Sequence, residues 1–206
     1  MNISIIIFCY NEKDNIEKVI LKTFEVANQL SDSFEVIVVD DASTDGTTAV
    51  IKNYPNVTSI THSVNKGIGM ALRSGYKAAT KEFVCAVPGD GQFDLSELLK
   101  VKPFTAETFY SFYRPTTNYN SYRKFLNLSN RLFNRLCLGI QLNDVNWIKV
   151  YRKSQLELVH IELESSIIES EMASNNNFAI TLNGSSPDRI VRTITISVAY
   201  ICWVKC

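Results

Sequence analysis

The sequence predicts an α/β fold in which a single Rossmann-like, mostly parallel sheet is flanked by helices. Three short runs in the first half of the chain, Ile3–Cys9, Phe34–Val39 and Phe83–Val87, are almost continuously apolar and rich in β-branched residues. Runs of this kind are typical of strands that are covered on both faces. Segments with helical periodicity separate them, and alternating strands and helices form parallel βαβ units with right-handed crossovers.

Three helices are predicted between these strands. The first covers Asn15–Leu30, where apolar residues recur with the period of an α-helix, and Asn11 is its expected N-cap. The second is expected to begin near Thr44 and to run toward Tyr54, and the third covers Ile68–Thr80. The apolar face of the first helix can pack against the sheet.

Shorter elements are expected after Gln92. They are a short helix at Leu95–Val101, strands at Glu107–Tyr113 and Val145–Tyr151, and helices at Tyr119–Leu138 and Ile167–Ala173. No linker rich in Pro, Gly and Ser, no internal repeat and no block of like charge interrupts the sequence. Residues 1–206 are therefore expected to form a single domain.

The composition is that of a globular protein. Of the 206 residues, 46% are hydrophobic and 20% are charged, which argues against a disordered chain. The 21 Lys and Arg residues balance the 21 Asp and Glu residues, so no nucleic-acid partner is expected. The apolar runs are shorter than the roughly 20 residues that cross a bilayer. The first residues also lack the features of a signal peptide.

The cysteines favour a cytoplasmic location. Their number, five, is odd, no C-x-x-C pair occurs, and only two histidines are present. A disulfide framework and a zinc site built from thiolates or imidazoles are therefore disfavoured. Cys9 and Cys85 fall within apolar runs and are interpreted as small buried hydrophobic residues.

Polar loops follow the three predicted strands, namely Tyr10–Glu12, Asp40–Gly46 and Pro88–Gln92. Ligands of open α/β sheets bind in the crevice beyond the carboxyl ends of the strands. Since three loops with acidic residues are expected to meet at this edge, a hard cation such as Mg²⁺ or Mn²⁺ is predicted there.

Asp90 and Gln92 are the candidate metal ligands. Gly91 separates them, so two oxygens can face one ion while the backbone approaches a ligand closely. Magnesium-type ions bind one or two carboxylates together with substrate phosphates, which implies a phosphorylated substrate. The alternative is a tight turn in which Asp90 caps the following short helix.

Asp40 and Asp41 also permit two interpretations. Adjacent carboxylates at the end of a strand repel each other unless a base N–H group, a ribose hydroxyl or a cation accompanies them. Alternatively, the segment caps the following helix through Ser43 or Thr44. Both interpretations can hold, because a cap need not use both carboxylates.

The stretch Lys66–Gly69 is a weaker signal. It lacks the third glycine of a dinucleotide-binding loop and does not follow the first strand. It is interpreted as a glycine turn that opens a helix whose N-terminal amides can face an anion.

Together these motifs resemble family-two glycosyltransferases, in particular the dolichyl-phosphate mannosyltransferase-like branch, which includes polyprenyl-phosphate sugar transferases. The matching stretches are Ile6–Glu12, Val38–Thr47, Asn65–Gly69 and Asp90–Gln92, in the family's order and spacing. The resemblance covers residues 3–173. It implies a GT-A fold with a nucleotide-sugar-binding half at residues 1–102 and an acceptor half at residues 103–176.

The resemblance also implies roles for individual residues. The nucleotide sugar is expected to be held by Tyr10, Glu12, Asp40, Asp41, Lys66 and Gly67. Asp90 and Gln92 match the second acid and the glutamine of the family's D-x-D-x-Q motif, which holds Mg²⁺ or Mn²⁺ on the diphosphate, so Asp90 is also a catalytic residue. Pro88 stands in place of the first acid, and Asp90 is therefore expected to carry more of the metal site.

The acceptor half matches the family in part. Arg114 and Arg123 match arginines after a strand and at the start of the long helix. Asp144 opens a stretch that resembles D-x-x-x-G-F-[KR] and is expected to face the reacting centre, and Glu171 resembles the acid of a later helix. The tail, residues 177–206, departs from the family. Its apolar segment, Thr193–Val204, is an added strand, a shortened membrane segment or an altered reading of the chain end.

The resemblance implies an inverting transfer of sugar from a nucleotide diphosphate sugar. A polyprenyl or dolichyl phosphate acceptor needs cations rather than a base, and Arg114, Arg123 and Arg131 are the candidates for its phosphate. A hydroxyl acceptor, as in cell-envelope polysaccharide synthesis, needs a base, and Asp144 is the candidate.

Three further questions stay open at this level. The helix Asn120–Leu138 either rests on the cytoplasmic face of a membrane or packs one face inward. A membrane-anchored partner is compatible with either arrangement. A non-catalytic nucleotide-sugar-binding relative is the main alternative to an enzyme, and a nucleotidyltransferase is disfavoured because Phe8–Asp14 contains no glycine or arginine.

Overall fold

The computed structural model describes residues 2–101, 108–112, 128–129, 132, 148–158, 178–182 and 191–198. The first half alternates strands and helices: β1 Asn2–Cys9, α1 Lys13–Leu30, β2 Ser33–Asp40, α2 Thr47–Ile51, β3 Val57–Thr61, α3 Ile68–Ala78 and β4 Phe83–Pro88. The elements that follow are a 3-10 helix at Leu95–Val101, β5 Thr108–Phe112, β6 Lys149–Arg152, α4 Lys153–Leu158, β7 Phe178–Leu182 and β8 Val191–Val198.

The described strands form one sheet in the order β3-β2-β1-β4-β6-β5-β8-β7. Strands β1 to β4 pair in parallel, whereas β6 and β8 run antiparallel to their neighbours. The predicted α/β class, with a mostly parallel sheet flanked by helices, is confirmed. Among the described strands, parallel pairing occurs in the first half of the chain, where helices supply the long crossovers that parallel strands require.

Both faces of the parallel half are covered. Ile5 and Val38 pack with residues of α1 and α2 on one face, whereas Ile6 and Ile37 pack with residues of α3 on the other. This double burial explains why the strands are nearly continuous apolar runs in the sequence. Helix α3 lies close to the sheet because Gly75 has no side chain, and a Cβ there would overlap Cγ2 of Ile6.

Two details of the predicted helices were wrong. Helix α1 begins at Lys13 with Glu12 as its N-cap, and Asn11 instead adopts a left-handed conformation with φ 56°. Helix α2 covers only Thr47–Ile51, because the residues before it are engaged in contacts between loops.

Strand β3 was not predicted. Only Val57 is buried in this strand, and Thr58, Ser59 and Thr61 are exposed. The strand lies at the edge of the sheet. An edge strand with one solvated face does not produce an apolar run, which is the signal by which the other strands were found.

The second half contains both predicted strands and one helix, α4, that was not predicted. Strands β5 and β6 fall within or beside the two predicted strands, and the tail adds strands, since β8 pairs with β5 and with β7. The helices predicted at Tyr119–Leu138 and Ile167–Ala173 lie outside the described residues, apart from three helical positions at 128, 129 and 132. Among the described helices, none is long and apolar enough to cross a membrane.

Candidate functional site

A cavity of about 350 Å³ opens at the carboxyl ends of the parallel strands. Its wall is built from the end of β1 and the loop after it (Phe8, Cys9, Tyr10, Glu12), the loop after β2 (Asp41), the start of α3 (Asn65, Gly67, Ile68, Ala71) and the end of β4 (Pro88, Gly89, Asp90). The register of the sheet brings these segments together, since Cys9 pairs with Asp40 and Phe8 pairs with Pro88. The three acidic loops thus meet at this edge as expected.

Hydrogen bonds fasten the loop after β1 to the loop after β2. The backbone N–H of Asn11 donates to Oγ of Ser43 at 2.8 Å, and Oδ1 of Asn11 accepts the N–H of Thr44 at 2.8 Å. The N–H of Glu12 donates to Oγ1 of Thr47 at 2.9 Å. These side chains hold the two loops in register, and of these five residues only Glu12 lines the cavity.

Asp45 caps two helices at once. Its Oδ2 accepts the N–H of Lys13 at the start of α1 at 3.0 Å, and its Oδ1 accepts the N–H of Thr47 at the start of α2 at 2.9 Å. Hydrogen bonds, with that of the Thr47 hydroxyl foremost, hold the pKa of Asp45 below its usual range. The capping interpretation therefore applies to Asp45, whereas Ser43 and Thr44, the residues predicted as caps, contact Asn11 instead.

The carboxylate of Asp40 is buried beneath the loop after β2 and is 1% exposed. Its Oδ1 accepts the N–H of Ser43 at 3.0 Å, and its Oδ2 accepts the hydroxyl of Thr48. Between these contacts Ala42 is held in a left-handed conformation, with φ 65°. Asp40 is not part of the cavity wall, so its contacts shape the loop from behind.

Asp41 lies on the cavity wall and binds the loop between β3 and α3. Its Oδ2 accepts the N–H of Gly67 at 2.7 Å, and its Oδ1 accepts the N–H of Lys66 at 2.9 Å. The same Oδ1 lies 2.6 Å from Nδ1 of His62. The amides of Lys66 and Gly67, which were expected to face an anion, donate to the side chain of Asp41.

His62 is the residue of this site that the sequence reasoning missed. Its side chain is 8% exposed, and its ring contacts Asp41 through Nδ1 and Oγ of Ser74 through Nε2, at 2.9 Å. Its backbone N–H donates to the carbonyl of Asp40 at 2.9 Å, which continues the pairing of β2 with β3. The sequence signal for His62 would have been its position directly after a strand. This signal was not available because β3 was not predicted.

A tight turn after β4 places Asp90 at the cavity. Gly89 packs so closely that a Cβ on it would lie 2.8 Å from Cβ of Cys9, and Gly91 has a φ of 72°. Oδ1 of Asp90 accepts the N–H of Gln92 at 2.9 Å, while Gln92 itself is exposed and lies off the cavity wall. The following 3-10 helix is capped by Asp94, whose Oδ1 accepts the N–H of Ser96, and not by Asp90.

The charge of the wall indicates what it can bind. Glu12, Asp41 and Asp90 contribute carboxylates, and the residues described on the wall include no Lys, Arg or His. A diphosphate would be repelled here unless a divalent cation lay between it and the protein. Within the described ranges no three His, Cys, Asp or Glu residues converge into a complete metal site. The donors fit a magnesium-type ion that takes a carboxylate from the protein and its other ligands from phosphate and water.

Cys9 adds neutral surface to this acidic wall. Burial raises the pKa of its thiol, and the nearby carboxylates of Asp40 and Glu12 raise it further. Cys9 is therefore a thiol at neutral pH and not a nucleophilic thiolate. Cys9 and Cys85 are both buried and neither forms a disulfide, which confirms their interpretation as small hydrophobic residues.

The structure brings together part of the predicted site. Of the residues predicted to hold the nucleotide sugar, Tyr10, Glu12, Asp41 and Gly67 line the cavity, whereas Asp40 and Lys66 do not. Of the two predicted metal ligands, only Asp90 lines it. The predicted residues of the acceptor half, Arg114, Arg123, Arg131, Asp144 and Glu171, lie outside the described residues.

Known proteins that match part of this chain include two that are named as sugar transferases. The undecaprenyl-phosphate 4-deoxy-4-formamido-L-arabinose transferase of Aeromonas hydrophila is 28% identical over 95 residues, which are 44% of this chain and 29% of that protein. The poly(ribitol-phosphate) beta-glucosyltransferase of Bacillus spizizenii is 32% identical over 112 residues, which are 52% of this chain and 18% of that protein. The matched part of the chain thus covers less than a third of either relative.

The fold is similar to that of a solved enzyme. Glucosyl-3-phosphoglycerate synthase from Mycobacterium tuberculosis, in complex with Mn²⁺, UDP and glucosyl-3-phosphoglycerate, matches with a TM-score of 0.63 at 19% identity, covering 83% of this chain and 63% of that one. This likeness confirms the predicted GT-A type of fold. The family model described as glycosyl transferase family 2 matches residues 4–157, most of the chain. The chain therefore belongs to glycosyl transferase family 2.

Proposed function

We propose that this chain transfers a sugar from a nucleoside diphosphate sugar to an acceptor, with inversion at the anomeric carbon. The observation that carries the proposal is that Asp41 and Asp90, from different loops, line one cavity at the carboxyl ends of the strands. Residues 1–102 then form the nucleotide-sugar-binding half and residues 103–176 the acceptor half. The tail, residues 177–206, adds β7 and β8 to the sheet.

The nucleotide is proposed to lie between Tyr10 and Asp41. Tyr10 is 46% exposed beside the cavity, so its ring offers a face on which a base can stack. The carboxylate of Asp41 meets donors from His62, Lys66 and Gly67. The N–H of Lys66 is shared between both oxygens of this carboxylate, and its contact with Oδ2, at 3.1 Å, is the longer of the two. An N–H or O–H group of the nucleotide is proposed to take that acceptor site.

The remaining nucleotide contacts are proposed for Glu12, Gly67 and Lys66. Glu12 lines the cavity with a carboxylate that also accepts the side-chain amide of Asn15 at 2.9 Å, so it can accept a ribose hydroxyl from a fixed position. A Cβ on Gly67 would project into open space, with no atom within 4 Å. Because glycine has no side chain, that space is left to the ligand. Lys66 is exposed at the margin, where its ammonium group can reach a phosphate.

Asp90 is proposed to hold Mg²⁺ or Mn²⁺ on the diphosphate, and Gln92 to join it when its exposed side chain turns inward. When bound, the metal neutralises the charge that develops on the leaving diphosphate. Asp90 supplies the carboxylate, and the turn at Gly89 and Gly91 fixes where that carboxylate points. Pro88 lines the cavity at the position of the first acid of the D-x-D-x-Q motif, and its apolar side chain supplies no second carboxylate.

A polyprenyl or dolichyl phosphate is proposed as the acceptor, held by Arg114, Arg123 and Arg131. The name of the Aeromonas relative, which includes undecaprenyl phosphate, supports this choice. The name of the Bacillus relative supports the second candidate, a hydroxyl acceptor in cell-envelope polysaccharide synthesis, for which Asp144 is the proposed base. With a lipid acceptor the protein works at the cytoplasmic face of a membrane, directly or through an anchored partner.

A screen of nucleotide sugars tests the proposal. Bound ligand raises the melting temperature, so at least one nucleotide sugar is expected to stabilise the protein, and more strongly with Mn²⁺ present. Release of nucleoside diphosphate is then measured with undecaprenyl phosphate and, separately, with poly(ribitol phosphate). Stabilisation without release would indicate a non-catalytic binding protein, and the absence of any stabilisation would contradict the proposal.

A further inference from the structure

A chain of three side chains runs from helix α3 to the cavity wall. Oγ of Ser74 lies 2.9 Å from Nε2 of His62, and Nδ1 of His62 lies 2.6 Å from Oδ1 of Asp41. Because a carboxylate only accepts, Nδ1 of His62 carries a proton and donates it to Asp41. In the neutral ring Nε2 then accepts the hydroxyl of Ser74, and it is the contact with Asp41 that specifies the tautomer.

The order of the three residues resembles that of hydrolase triads, but the end that faces the cavity is the opposite one. In a hydrolase the hydroxyl faces the substrate and the carboxylate is remote. Here Asp41 lines the cavity, whereas neither His62 nor Ser74 does. Ser74 therefore supports His62, and His62 supports the carboxylate that faces the ligand.

We propose that His62, held by Ser74, is a positioning residue that orients the carboxylate of Asp41 toward the ligand of the cavity. This inference rests on the proposed function, in which that ligand is a nucleotide. The side chain of Asp41 is 4% exposed and that of His62 is 8% exposed, so both are packed and neither rotates freely. The N–H groups of Lys66 and Gly67 fix the other directions of the carboxylate, and His62 supplies the one side-chain donor described.

The test measures nucleotide affinity by calorimetry, with UDP and GDP as probes in the presence of Mn²⁺. His62→Ala is expected to raise the Kd of the nucleotide that the wild type binds about tenfold, which is the effect of losing one hydrogen bond to a charged group. Ser74→Ala is expected to raise it less. His62→Asn, which keeps an N–H donor near the position of Nδ1, is expected to recover most of the loss.

A double-mutant cycle separates positioning from a general loss of stability. If His62 acts through Asp41, His62→Ala causes no further loss of affinity in an Asp41→Ala background. Thr80→Ala, two residues beyond the end of α3, is the matched control, since it removes the hydroxyl contacts to Glu35 and is expected to leave the Kd unchanged. Equal affinity of His62→Ala and the wild type, or additive losses in the cycle, would overturn the inference.

A measurement without ligand distinguishes this inference from the proposed function. Amide hydrogen exchange of Lys66 and Gly67 reports whether Asp41 still holds their N–H groups, and His62→Ala is expected to accelerate it. If the wild type binds neither nucleotide but exchange accelerates, the proposed function fails and the positioning of Asp41 stands. Unchanged exchange at both amides would contradict the positioning role.

Discussion

Asp40 and Asp41 are adjacent in sequence, yet their carboxylates bind different loops. Asp40 points to the face of the sheet that α1 and α2 cover, where it accepts hydrogen bonds from Ser43 and Thr48. Asp41 points toward the face covered by α3, where it binds the loop that opens that helix. The alternation of a strand thus separates two like charges that the sequence places side by side, and each carboxylate is stabilised by its own set of hydrogen-bond donors.

This separation predicts different consequences for the two positions. Asp41→Asn places an amide group among donor N–H groups and is expected to raise the Kd for nucleotide at least tenfold, as well as to lower stability. Asp40→Asn keeps one acceptor for Ser43 and is expected to cost about 1 kcal/mol of unfolding free energy, with a much smaller effect on affinity. Calorimetric titration and urea denaturation of both variants measure the two effects. A larger loss of affinity for Asp40→Asn than for Asp41→Asn would contradict the assignment.

Asp90 is expected to be indispensable for metal-dependent transfer. Asp90→Ala removes the one acidic side chain that the turn after β4 contributes to the cavity wall, so sugar transfer and the extra stabilisation by Mn²⁺ are expected to be lost. The fold is expected to persist, because the backbone of the turn is held by Gly89 against β1. Released nucleotide and the melting temperature are the measurements.

Asp94→Ala is the matched control for Asp90. Asp94 lies four positions further along and caps the 3-10 helix through Ser96, away from the cavity wall. This variant is expected to lose about 1 kcal/mol of stability with transfer retained. Near-normal turnover of Asp90→Ala with Mn²⁺ added would remove the metal assignment.

The site was predictable where it depends on the ends of buried strands. Tyr10, Asp41 and Asp90 each follow an apolar run, and parallel pairing brings such positions together whatever the details of the loops. The exposed position of Gln92, off the cavity wall, was not predictable, because it depends on the backbone conformation of the turn at Gly91, whose φ is 72°. His62 was missed for a different reason. It follows β3, and the exposed polar residues of β3 do not form the apolar run by which the other strands were predicted. Asn11 was misread because cap residues and left-handed loop residues are the same residue types.

Glu35 is expected to make stability depend on acid pH. Burial alone would raise the pKa of Glu35, but hydrogen bonds from Ser4 and Thr80 outweigh it and hold the pKa below its usual value of 4.5. The stabilisation is therefore complete above pH 4.5 and is lost as the pH falls through the lowered pKa of the folded state. Glu35→Gln is expected to be about 1 kcal/mol less stable than the wild type at neutral pH.

The difference in unfolding free energy between wild type and Glu35→Gln is expected to narrow below pH 4.5, because the wild type then loses the same interaction. Urea denaturation at a series of pH values measures it. Asp32→Asn, at an exposed acid next to the same strand, is the control and is expected to show no such narrowing. A difference that stays constant down to pH 3 would contradict the assignment to Glu35.

Ala42 is strained, and its replacement by glycine is expected to stabilise the protein. Its φ of 65° lies in the left-handed region, which costs a residue with a Cβ about 1–2 kcal/mol. Glycine removes that cost but adds about 0.5–1 kcal/mol of conformational entropy to the unfolded chain. Ala42→Gly is therefore expected to gain up to about 1 kcal/mol, measured as a higher midpoint in urea.

The same substitution at Ala49 is the control, because that residue is exposed in helix α2, where glycine is a poor helix former. Ala49→Gly is expected to lose about 1 kcal/mol, so the two variants should move the midpoint in opposite directions. Destabilisation by both would mean that the backbone at position 42 is not left-handed in solution. The contacts of Asp40 with Ser43 and Thr48 hold residue 42 in that conformation. In an Asp40→Asn background, Ala42→Gly is therefore expected to raise the urea midpoint less than it does in the wild type.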